Sequence, residues 1–284
     1  MATGVILMAL GTAGTASADS RDNGCEKLPG YASLKAALIA ARSASNGGFN
    51  LDMWGAIVNR DGIVCAVAFT GSERGSQWPG SRVIAAQKAN TANAFSLPGL
   101  ALSSANLWAP VQPGGSLYGL QASNPVDTAT SYKGPSRDYG TGFDPLIGNK
   151  IGGINVFGGG LALYNRQHEL VGGLGVSGDT SCADHNIAWR TRNNLHLDYV
   201  PAGVSGDAAR PDNINYQGIA ATDTLANDFS HPICKIAGDD KVSAISANLP
   251  PIPEPTRSEK AGQSQKVGRA SDQEILQTVK NRLP

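Results

Sequence analysis

Residues 172–195 read GGLGVSGDTSCADHNIAWRTRNNL, a glycine-rich run that passes directly into helix-forming residues. Leu170 to Val176 reads as a strand. Asp179, Thr180 or Ser181 can cap a helix whose Ala183, Ile187, Thr191 and Leu195 recur every fourth position. A strand, a tight glycine turn and a helix in this order admit three uses. The backbone N–H groups and positive end of the helix can hold a carboxylate or phosphate close to Gly175, Ser177, Gly178, Asp179, Asp184 and His185. The glycines can instead only permit a helix to lie close on a sheet. Or Ser177 can be a nucleophile, as in the G-x-S-x-G elbow. Here the order is Gly175-Val176-Ser177-Gly178-Asp179, so the second glycine is displaced by one. His185, His196 or His231 could act as base with Asp184 as orienter, but no spacing enforces such a triad.

Upstream, Leu161 to Tyr164 reads as a second strand, joined to the first through Asn165-Arg166-Gln167-His168. Residues 31–45, YASLKAALIAARSAS, place Leu34, Ala37, Leu38 and Ala41 on one helical face. Two β-rich runs then flank Asn59-Arg60-Asp61-Gly62, a hairpin turn. Residues 81–96 return to helix, with Ser81 as cap and Ile84, Lys88, Thr91 and Phe95 near one face beside small alanines. Residues 97–150 have no sustained period and are rich in Gly, Pro, Ser and Asn. They also carry Leu107, Trp108, Leu117, Tyr118, Tyr132, Tyr139 and Phe143, so this segment is expected to be an ordered insertion over one edge, or a subunit contact. Residues 198–247 are irregular. Residues 248–270 read as a solvated linker, and 271–284 as a terminal helix with a capping box from Ser271 to Glu274.

The balance of 23 basic and 23 acidic residues, with no basic stripe, argues against nucleic acid as a partner. Residues 1–18 combine an apolar centre with Ala16-Ser17-Ala18, the pattern of a cleaved signal peptide, and that apolar run is too short to span a membrane. A periplasmic or secreted location is expected. The four cysteines, Cys25, Cys65, Cys182 and Cys234, lack the close spacing of a zinc site. They allow three connectivities. Pairing within each half favours Cys25 with Cys65 and Cys182 with Cys234, and buried free thiols are the alternative.

The order helix, hairpin, helix, then Gly159-Gly160-Leu161, Val171-Gly172-Gly173-Leu174-Gly175-Val176-Ser177-Gly178, Asp184 and Ala188 resembles the GlcG/HbpS-type haem-binding, or "haem-degrading", family. The likeness covers roughly 31–96 and 151–195, within a domain placed at 25–247. It implies a profilin-like α+β fold, a five-stranded antiparallel sheet packed with helices, often in homo-oligomers. It implies haem as a cofactor in some members. Iron needs an axial His, Cys, Met or Tyr in an apolar pocket. With the cysteines bridged, His168, His185, His196, His231, Met53 and the tyrosines remain. His185, beside the glycine run, is the first candidate. No CxxCH occurs, so haem is not attached covalently. The function expected is an exported, non-catalytic haem-binding protein for capture or sensing. The alternatives are a hydrolase or small organic-acid enzyme built on Ser177 and His185, and an interaction subunit of a larger assembly.

Overall fold

The protein is described by a computed structural model covering residues 24–217, 227–235 and 241–254. The expected signal peptide, the later part of the expected linker and the expected terminal helix lie outside the described residues. Helix α1 (Tyr31–Arg42) buries the stripe Leu34, Ala37, Leu38 and Ala41. Strands β1 (Trp54–Asn59) and β2 (Val64–Phe69) form the expected hairpin. The Asn59 carboxamide oxygen accepts from the N–H of Asp61 and of Ile63, and Gly62 takes a positive φ of 76°, which a glycine adopts without steric cost. Helix α2 (Ser81–Phe95) follows. After the insertion come β3 (Gly160–Tyr164), β4 (Leu170–Ser177) and α5 (Ser181–Asn194).

The sheet order is β2-β1-β4-β3, antiparallel throughout. Alternation along β1 directs Trp54, Ala56 and Val58 to the α2 face and Ile57 to the face covered by α1 and α5. The layers are therefore α1 with α5, then sheet, then α2. The main sheet has four strands, where the family resemblance implied five. Next to β3, Tyr164 exchanges backbone hydrogen bonds with Leu197 and Tyr199. That segment cannot lengthen into a strand, because Val200 N–H turns back onto the Asp198 carbonyl and Pro201 follows.

The glycines decide how close α2 lies. A Cβ at Gly175 would meet the Ala85 carbonyl oxygen at 1.8 Å, one at Gly173 the Ala89 oxygen at 2.3 Å, and one at Gly160 the Lys88 oxygen at 2.4 Å. The helix backbone thus rests directly on the sheet. It presents Val83, Ala85, Ala86 and Ala89 to the core; of the residues grouped on one face in the sequence, Lys88 and Thr91 are buried and Ile84 and Phe95 half-buried. Large side chains cannot stand between two backbones at this separation.

The insertion is ordered. It runs through short helices, including α3 (Leu120–Ser123) and α4 (Thr128–Ser131), and is fastened by Asp144. The Asp144 carboxylate accepts from the Arg82 guanidinium, from Gly140 N–H and from Leu146 N–H, all buried. Leu146 and Ile151 join the core on the α2 side. The C-terminal boundary also differs from expectation. Residues 248–254 do not form a solvated linker: Leu249 is fully buried in the core, Trp189 Nε1 donates to the Pro250 carbonyl, and Ile252 N–H donates to Ala209. Trp189 leaves an apolar face and an indole N–H to be covered, and this segment covers both.

Candidate functional site

The glycine turn and the start of α5 come together as expected, but the protein itself fills them. Ser177 is buried and pairs with Trp54 in the sheet ladder. A Cβ at Gly178 would meet the Asp52 carbonyl oxygen at 2.3 Å, so no ligand approaches there. The Asp179 carboxylate accepts from the backbone N–H of Phe49, Leu51 and Thr180. Asp184 accepts from Asp179 N–H through Oδ1 and from Lys88 Nζ through Oδ2. The anions that the helix start and its neighbours attract are the protein's own two carboxylates. This region is a packing and capping device, not the ligand cradle expected of Gly175, Ser177, Gly178, Asp179 and Asp184.

His185 has no exposed surface. Its Nε2 lies 3.1 Å from the Asn213 carboxamide oxygen, whose orientation is set by the amide nitrogen donating to the Ser246 carbonyl. The Ile214 N–H also approaches Nε2, at 3.2 Å, while Nδ1 meets no partner. Burial pushes the imidazole down to about 3, with Arg192 also lowering it, so the ring is neutral at any physiological pH. It is an uncharged nitrogen, as an iron ligand must be, but an enclosed one. Met53 is likewise buried. His168, in the turn before β4, is half-buried with Nδ1 on the Tyr199 carbonyl, and His196 is exposed.

One pairing was not anticipated. Ser181 Oγ lies 2.8 Å from His231 Nε2, while His231 Nδ1 lies 2.7 Å from the Pro232 carbonyl. The carbonyl can only accept, so Nδ1 carries the proton and Nε2 takes the serine hydroxyl hydrogen. Burial lowers His231 to about 4. Cys182 is bonded to Cys234 and Cys25 to Cys65, so the first of these bridges holds residues 231–234 against the start of α5. Pairing of Cys182 with Cys234 was the signal from which Ser181 and His231 could have been placed together. The N–H groups of Cys182, Ala183 and Asp184 are each engaged, by Cys234 Sγ, Thr180 Oγ1 and the Thr180 carbonyl. This turn offers no free pair of donors for an oxyanion.

An open cleft along residues 201–211 aside, three more are lined by described residues. One, of about 380 Å³, lies between the end of α1 and Asp179 and includes Arg42, Asn46 and Asn50. The other two adjoin on the insertion side and share Arg74 and Tyr139. The first is an apolar slot of about 240 Å³ against Trp54, Pro79 and Tyr132. The second is a polar cleft of about 410 Å³ lined by Tyr31, Lys35, Glu73 and Arg137 among others. Among the described residues no three of His, Cys, Asp or Glu gather as a metal-ion site.

The family model described as "Haem degrading protein HbpS-like" matches residues 32–192. No curated protein matches the chain. Among solved structures, the PduOC:heme complex is similar at 22% identity and a TM-score of 0.41, covering 58% of this chain and 91% of that one. Klebsiella pneumoniae protein ORFY is similar at 22% identity and a TM-score of 0.39, covering 58% of this chain and 87% of that one.

Proposed function

The chain belongs to the HbpS-like family of haem-degrading proteins, and from that premise we propose that it is an exported haem-binding protein, acting in haem capture or beside a sensor without a catalytic step of its own. The observation that carries the reading is the family match over residues 32–192, which spans α1, the whole main sheet, α2 and nearly all of α5. Export is supported by the two disulfides, since such bridges persist in oxidising compartments. Among the described residues no helix is long and apolar enough to cross a membrane. A homo-oligomer is part of the same reading, because the insertion leaves Tyr118 and Phe143 exposed for a partner copy.

The glycine turn does not fit a tetrapyrrole: its donors are taken, its glycines touch backbone, and His185 is sealed. The site must therefore lie on an open cleft with apolar walls. Bound haem would supply iron as a Lewis acid and redox centre; the chain's part is to hold the ring, exclude water from one face and neutralise the carboxylates.

The test is titration of haemin into the full chain purified with its disulfides intact. A saturable shift of the Soret band is expected, and His185→Ala should leave that band in place. A titration matching haemin in buffer alone would overturn the reading.

A hydrolase is the second reading, and it rests on Ser181 with His231 instead of Ser177 with His185. A serine-directed phosphonate that labelled wild type but not Ser181→Ala would favour it.

A further inference from the structure

The two adjoining clefts on the insertion side have complementary chemistry. The slot is apolar. Trp54 forms part of its wall, stacked on Phe69 with ring centroids 4.5 Å apart, and the indole Nε1–H of Trp54 is buried without any acceptor in the protein. Tyr132, from the insertion, closes the other side. It is 58% exposed, and no hydrogen bond is recorded for its hydroxyl among the described residues. The neighbouring cleft carries three cations, Lys35, Arg74 and Arg137, against the single carboxylate Glu73. Arg137 is largely solvent-exposed, with only Asp138 at 3.8 Å as a counter-charge.

An aromatic slot opening onto a cationic cleft selects a ligand that is flat and apolar at one end and doubly anionic at the other. Resting on the haem-binding reading above, we propose that this composite cleft seats a tetrapyrrole dicarboxylate. Its ring edge enters between Trp54 and Tyr132, and its carboxylates meet Lys35, Arg74 and Arg137. Where the ring carries ferric iron, the Tyr132 phenol, giving up its proton to solvent, would be the group to hold it, as phenolate does in haem proteins. Tyr132, Arg137 and Tyr139 of this seat come from the 97–150 insertion, which Arg82 and Asp144 hold in position over β1.

The experiment titrates haemin and metal-free protoporphyrin into wild type, Arg74→Glu/Arg137→Glu, Tyr132→Phe and the remote control Arg166→Glu, with folding of each checked by its near-UV circular dichroism. The double charge reversal should weaken both ligands at least tenfold, with the control unchanged. Tyr132→Phe should keep protoporphyrin affinity within about threefold and shift the ferric haemin spectrum. If haemin binds wild type and the double reversal equally, the seat is elsewhere and the haem-binding reading still stands. If haemin fails to bind wild type, that reading falls. The cleft is then judged by protoporphyrin alone, and equal binding or none in wild type and the double reversal overturns it. An unchanged ferric spectrum in Tyr132→Phe removes the ligand role of Tyr132.

Discussion

Lys88 on α2 and Asp184 on α5 meet past the end of the main sheet: Nζ lies 2.7 Å from Oδ2, with both side chains almost wholly withdrawn from solvent. They reach each other beside Gly159, where a Cβ would come within 3.3 Å of the ammonium nitrogen. Lys88 also donates to the Val176 carbonyl. The two helix layers, on opposite faces of the sheet, are thus joined by one ion pair. Breaking a buried pair by removing one partner strands the other charge, which costs about 3–5 kcal/mol. Lys88→Met should show a loss of that size in urea unfolding, and Lys88→Met/Asp184→Leu should lose clearly less than the two single changes added together. Strict additivity would mean that the two groups are not coupled.

Stability should fall as the solution is acidified below pH ~6.5. His185 and His231 are held down to about 3 and about 4 by burial, below the ~6.5 of an unfolded histidine. Above that value both states are neutral and nothing changes. As pH falls through it, the unfolded chain takes up two protons that the folded chain refuses. Asp184 works the other way: burial raises it from 3.8 to about 6, so the folded state gains one proton first. The difference is roughly one proton, or about 1.4 kcal/mol per pH unit between pH ~6 and ~4. Unfolding free energies at pH 7, 6 and 5 measure this, and a profile that is flat or rises toward acid would contradict it.

Gly175→Ala should unseat α2. The added methyl would fall 1.8 Å from the Ala85 oxygen, which belongs to a helix backbone and cannot rotate aside. Overpacking of this kind costs ~1–3 kcal/mol or more. Gly30→Ala is the control, since nothing lies within 4 Å of its Cβ position. Melting temperatures compare the two directly, and equal shifts would show that α2 does not bear on the sheet at Gly175.

Arg82→Met should loosen the insertion while the sheet persists. Arg82 supplies the Asp144 pair, donates to the Ser131 carbonyl and lies 3.7 Å over the Tyr139 ring. Without it, the carboxylate that holds Gly140 and Leu146 is buried unpaired. Limited proteolysis followed by mass spectrometry should find new cleavage within 97–150. A fragment pattern identical to wild type would place the fastening elsewhere.

Much of the architecture was legible in local pattern. The Leu34-Ala37-Leu38-Ala41 stripe, the Asn59–Gly62 turn, the paired strands read as ending at Tyr164 and Val176, and a cap among Asp179, Thr180 and Ser181 each depend on neighbours within a few positions. The contact of α2 with the sheet was not legible, because an apolar stripe assumes that side chains mediate it. Here Gly160, Gly173 and Gly175, remote in sequence, let the backbone do so. The site was read less well still. The glycine turn carried both signs of a ligand cradle, close backbone and a helix start, and the groups that cancel them come from elsewhere: Phe49 and Leu51 before β1, and Lys88 on α2.

By itself the sequence carried the family resemblance and, through it, the α+β class, while short-range periodicity and turn chemistry determined the hairpin and the helix stripes. Pairing of the cysteines within each half was the favoured one of three connectivities. Only the tertiary structure decided the rest. α5 buries His185, Asn186 and Arg192 as fully as its apolar residues, because residues 212–216 and 246–250 form a further layer over it and supply partners, Asn213 for His185, Ser246 for Asn186 and Asp212 for Arg192. A polar residue can be buried when its partner arrives from a distant segment, and no local pattern records where that segment will lie. The same holds for the cleft, whose ring wall and cations come from α1, β1, the loop after β2 and the insertion.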